Sequence, residues 1–151
     1  MNLDQYNWKD VLNAIPDMIS VLDEEHKILW LNDNMLKVLG LSIEDCIGKC
    51  CYKLVHGTNE PPTYCPYSKF LADNSCHSVE VFIDKLEREY LVTVSPIKLG
   101  GEEIVGAIHI ARDITEVKKQ QRELLRYGED KVLLEAREDI IKLLEEGTLV
   151  K

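Results

Sequence analysis

Three β-rich runs follow one another in the second half of the chain: Ser78–Ile83, Tyr90–Ile97 and Glu103–Ala111. The charged stretch Asp84–Glu89 separates the first two, and "KLGGEE" separates the last two. Their Val, Ile, Tyr and Thr residues suit a pleated, half-buried surface. Links this short join neighbouring strands as antiparallel hairpins. An earlier pair, Met18–Leu22 and Lys27–Leu31, flanks the polar turn Asp23-Glu24-Glu25-His26 and reads as another hairpin. Five antiparallel strands must bury one face, and the chain between the hairpins offers only short helices to cover it. The expected fold class is therefore α+β, a five-stranded antiparallel sheet with short helices on one face.

Those helices carry their own signals. Leu3–Ala14 has Tyr6, Val11, Leu12 and Ile15 near helical spacing and stops at Pro16. Asn32 or Asp33 can cap a helix over Met35, Leu36 and Leu39, which Gly40 ends. Ser42 with Glu44-Asp45 starts another turn, and Pro66 to Asp73 forms one more short helix. After the last strand, Asp113 can cap a helix with Glu116 as its reciprocal partner. Ile114, Val117, Gln121, Leu124 and Leu125 give that helix a narrow apolar stripe, and Gly128 interrupts it. A second helical run has Leu133, Ala136, Ile140 and Leu143 on one face, with Gly147 as its stop. Trp30 is expected in the core, and Trp8 on the sheet or against a second subunit.

Charge and composition narrow the function. The net charge is −9, and the basic residues Lys118, Lys119, Arg122 and Arg126 alternate with Glu116 and Glu123. That pattern suits a solvated helix rather than a phosphate-binding face, so nucleic acid is not expected as a partner. No apolar run approaches the ~20 residues that cross a bilayer. The N-terminus has no basic segment followed by an apolar one, so the cytoplasm is the expected location. Five cysteines is an odd number, a poor basis for a disulfide framework. No phosphate-binding Gly-rich loop, nucleophile elbow or H-E-x-x-H is present, and an enzyme is not expected.

At this point the sequence resembles the PAS domain family, sensory modules of signalling proteins. "VLNAIPDMISVLDEEHKILWLNDNMLKVLGLSIEDCIGK" resembles the family's opening, including the Asn after the second strand. "EREYLVTVSPI" and "GGEEIVGAIHIARDITE" resemble its fourth and fifth strands, and Asp113-Ile114-Thr115 its junction with an output helix. The resemblance runs from about Trp8 to Val117. It implies an N-terminal helix over residues 1–16, a sensory core over 17–113 and output helices over 114–151. It also implies an internal cavity lined by the strand face that carries Ala107, His109 and Ala111. His109 is thereby a candidate cofactor contact, or a buried histidine bonded to a neighbouring strand.

The stretch "GKCCYKLVHGTNEPPTYCP", Gly48 to Pro66, holds three of the five cysteines. It resembles a family subgroup with Cys-Tyr, His-Gly and a proline-flanked cysteine pair, although Pro62 stands where that subgroup often has its middle cysteine. Cys51, His56 and Cys65 are candidate metal ligands, with Cys76 or Cys50 as a fourth. Zinc takes four such donors, an iron–sulfur cluster favours thiolates, and haem on a single histidine is the third cofactor considered. The alternatives are thiol redox sensing and plain packing, since cysteine also serves as a small hydrophobe. Cys46 and Cys50, four apart, suit one face of a helical turn. His26 and His77 are expected in solvent.

The function expected is a sensor that binds a small ligand, metal or redox cofactor and signals through its C-terminal helix. The expected partners are a second copy, contacting through Leu3–Ala14 and the helix after Asp113, and a histidine kinase or other signalling protein. No histidine lies beyond His109, so the chain is not itself expected to be a histidine kinase. Two alternatives stand: a thiol or metal redox protein using Cys51, Cys65 and Cys76, and a dimerisation module without a cofactor.

Overall fold

A computed structural model of the chain describes residues 7–98, 100–101 and 103–147, without the side chains of 143–147. It forms two compact units, Met1–Ile114 and Thr115–Lys151. The first runs α1 (Trp8–Asn13), β1 (Met18–Leu22), β2 (Ile28–Leu31), α2 (Asp33–Leu39), α3 (Ile43–Cys46), α4 (Cys51–Val55) and α5 (Pro66–Asp73). It continues with β3 (His77–Ile83), β4 (Arg88–Lys98) and β5 (Ile104–Asp113), and the second unit is α6 (Thr115–Gly147). The strands form one antiparallel sheet in the order β2-β1-β5-β4-β3. The last strand lies at its centre, with the N-terminal hairpin on one side and the β3–β4 hairpin on the other.

Local chemistry explains where the helices start and stop. Asn32 caps α2, accepting from the Met35 N–H, and Gly40 closes it in the left-handed conformation at φ 66°. Ser42 and Asp45 form a reciprocal capping box on α3. Pro66 opens α5, where a missing N–H costs nothing. Asn32 also reaches well beyond its own helix. Its amide nitrogen donates to the carbonyls of Leu12, Ile15 and Asp17, and its oxygen accepts from the Ile19 N–H. One fully buried side chain thus ties α1, β1 and α2 together.

Register assigns the two faces of the sheet. Ser20 stands opposite His109, Met18 opposite Ala111 and Leu22 opposite Ala107. On β4, Val92 faces Ala111 and Val94 faces His109. Alternation puts all of these on the inner face, against which α2 and α5 pack. Leu22, Ile28, Val94 and Ala107 are fully enclosed there, together with Cys46 of α3. The resemblance's expectation that Ala107, His109 and Ala111 share the inner face is met. Cys46 is a packing residue.

Several expectations are corrected. Gly128 does not interrupt the C-terminal segment, which is one continuous helix. A glycine inside a helix costs only about 1 kcal/mol against alanine, too little to break thirty-odd propagating residues. Cys50 lies outside any helix, at the N-cap of α4, so it does not share a helical face with Cys46. Trp30 is half-buried on the outer face, edge-on to Trp8 with ring centroids 5.1 Å apart. The part of the N-terminal helix expected over residues 3–6 lies outside the described residues.

Candidate functional site

Between the inner face and the segment from α4 to the start of α5 lies a partly open, apolar cavity. Its walls come from Met18 and Ala111 on the central strands, Val79, Val81 and Val92 on the far hairpin, and Met35 of α2. The polar or reactive side chains reaching it are Cys51, Tyr52, His56, Tyr64, Cys65 and His109. Space wide enough for the centre of a water-sized sphere amounts to about 30 Å³. That holds one or two waters and falls far short of the roughly 300–1,000 Å³ typical of drug-sized ligands. A porphyrin is far larger than this space, and haem does not fit it.

Three of the four expected metal-site residues thus face a common space, and His109 joins them. Cys51 starts α4 and Cys65 caps α5, both buried. His56 closes α4 and meets the Tyr64 ring edge-on, centroids 6.2 Å apart. Cys76 is elsewhere. It is exposed, and its Sγ lies 3.3 Å from the Ser95 hydroxyl. Ser95 is one residue past Val94 and so on the outer face, which puts Cys76 across the sheet from Cys51 and Cys65. Among the described residues, no three His, Cys, Asp or Glu side chains are grouped as a metal ion would need.

The electrostatics of the cavity favour uncharged groups. Burial, with nearby His56 and His26 adding to it, pushes the His109 pKa down to about 4. Its imidazole is therefore neutral at physiological pH, with a lone pair available to a donor or an ion. Burial, then the neighbouring Cys65, pushes the Cys51 thiol up to about 12. Burial also lowers His56, against a smaller opposing effect of Asp84. Burial in this cavity thus disfavours the charged forms of its acidic and basic groups alike.

Sequence reasoning placed His26 in solvent. The structure packs it against Tyr67, with centroids 4.8 Å apart, and against Tyr52 at 5.8 Å. Tyr67 in turn donates its hydroxyl to the Asp23 carbonyl at 2.6 Å. This aromatic cluster anchors α5 to the β1–β2 turn, and Tyr67 lies about forty residues from its partners His26 and Asp23, with no local pattern to announce them. His77 is not simply solvated either, since its Nε2 bonds the Asp73 carboxylate at 2.9 Å. Met18 and Met35 read only as core residues, and nothing in the sequence marks them as cavity walls.

The chain matches the PAS domain family over residues 16–116. No curated protein matches it. Among solved structures it is similar to an RNA-binding Light-Oxygen-Voltage receptor, at 14% identity and TM-score 0.61. That match covers 81% of this chain and 36% of the receptor, so this chain spans about a third of that protein. It is also similar to the PAS domain of Bordetella pertussis BvgS, at 23% identity and TM-score 0.59, over 82% of this chain and 95% of that one. The PAS domain of nitrogen regulation protein NR(II) from Vibrio parahaemolyticus matches at 15% identity and TM-score 0.56, over 76% and 100%. Identities this low establish a common fold and nothing finer.

Proposed function

The chain belongs to the PAS domain family, and on that premise we propose that it is a cytoplasmic sensor whose cavity takes a ligand of few heavy atoms or a single ion. The apolar cavity beside His109 and Ala111 carries this reading, because both residues sit on the strand that leads into α6. Occupancy shifts a population between two packings of the sheet, and α6 reports it. The reading includes a homodimer, because α6 exposes Val117, Leu124, Leu133 and Ile140, apolar residues that a second copy would cover. It includes a signalling protein such as a histidine kinase as the recipient, and no role for nucleic acid. No described helix is long and apolar enough to cross a membrane.

Native mass spectrometry of the anaerobically purified full chain tests the ligand reading. The native mass should exceed the denatured mass by one small adduct, and Ala111→Phe, which fills the cavity, should lose it. Equal masses for the wild-type chain, native and denatured, would overturn the reading.

A further inference from the structure

We propose that the cavity takes a soft, two-coordinate metal ion, copper(I), held between the sulfurs of Cys51 and Cys65. The inference rests on the cavity being the ligand site proposed above. Four residues with sulfur-bearing side chains line this one small space: Cys51, Cys65, Met18 and Met35. All four are buried, and both cysteines are free thiols. Thiolates and thioethers together select copper(I) over harder divalent ions. Zinc requires four nitrogen or sulfur donors, and a cluster requires about as many cysteines. Two cysteines and two histidines, His56 and His109, line this cavity, yet no three potential ligands are grouped closely enough for such a shell among the described residues. A linear ion between two sulfurs needs no third ligand. Its size suits a space with room for one or two waters.

The binding step balances. Two S–H bonds break, two Cu–S bonds form, and two protons leave to solvent, so Cu⁺ and two neutral thiols become one [Cu(SR)₂]⁻ and two H⁺. No electron is transferred. Cys50 and Cys76 do not line the cavity and serve as controls.

The test is an anaerobic titration of the full chain with copper(I) against bicinchoninate as competitor. One equivalent should bind. Cys51→Ser and Cys65→Ser should each weaken it by more than the ~10–100-fold that changes around a metal's own ligands cost. Cys50→Ser and Cys76→Ser should leave it unchanged. X-ray absorption of the wild-type complex should find two sulfur neighbours, a readout that needs no variant to fold. No uptake by wild type, a four-neighbour shell, or undiminished binding in both cavity variants would each overturn the copper site. An adduct in native mass spectra that contains no copper would then leave the cavity reading standing without it.

Discussion

Asn32 makes five hydrogen bonds from one buried amide, three donated to carbonyls and two accepted from backbone N–H groups. Replacing it with alanine strands the Ile19 and Met35 donors in the interior and removes the cap of α2. Each effect costs about 1–2 kcal/mol. Asn32→Ala should therefore lower stability by roughly 2–4 kcal/mol in urea melts, and Asn32→Asp, which keeps both acceptor roles but turns a buried carboxylate oxygen toward three carbonyls, should not recover it. An Asn32→Ala chain as stable as wild type would contradict the anchoring role. His109 makes a prediction of opposite chemistry. Its folded pKa, about 4, lies below the ordinary 6.5, so in that window the unfolded chain binds a proton that the folded one does not. Stability must then fall as pH drops from 6.5 toward 4, by up to about 3 kcal/mol from this residue. His26 and His56, also lowered by burial, act in the same direction. His109→Asn should show a smaller loss of stability between about pH 7 and pH 5 than wild type. An unchanged pH slope would show that His109 is not held neutral by the fold.

Elements were legible wherever a local signal sufficed. Pro66 and Asp73 bound α5 as expected, because a proline at the first turn and a left-handed Asn74 at the end are short-range features. The strands were legible from alternation, within a residue or two at each end. Gly128 misled because propensity acts on one residue while helix propagation acts on many. An added Cβ at Gly128 would meet nothing within 4 Å, so Gly128→Ala should raise the helicity of α6 and stabilise it by about 0.5–1 kcal/mol. Circular dichroism that shows no gain would restore the interrupted helix. The same element carries the dimer reading. Deleting residues 116–151 should weaken self-association in light scattering, and an unchanged dimer would place the contact elsewhere. The site was legible only in part. Cys51, His56 and Cys65 share a cavity because the loop from α4 to α5 folds over the inner face. Cys76 looked equivalent in the sequence, yet its position just before β3 turns its thiol to the outer face, and face is set by register, not by residue type.

At the scale of the whole molecule, sensing requires coupling between the cavity and the helix. The cavity touches β5 at His109 and Ala111, and β5 ends at Asp113, two residues before α6 begins. Arg112 grips Asp17 through two nitrogens, and Arg88 holds Asp113. The end of the central strand is thereby fixed both to the residue before β1 and to β4. A side chain grown into the cavity acts as a tethered ligand. Ala111→Leu adds three carbons to a residue 5% exposed and costs about 1–3 kcal/mol of packing strain. Hydrogen exchange of the full chain, comparing Ala111→Leu with wild type and with the exposed control Val105→Leu, is the most direct test. Coupling predicts altered protection across Thr115–Gly147 in Ala111→Leu and none in the control. Identical α6 exchange in all three, with protection changed only in the strands, would contradict it.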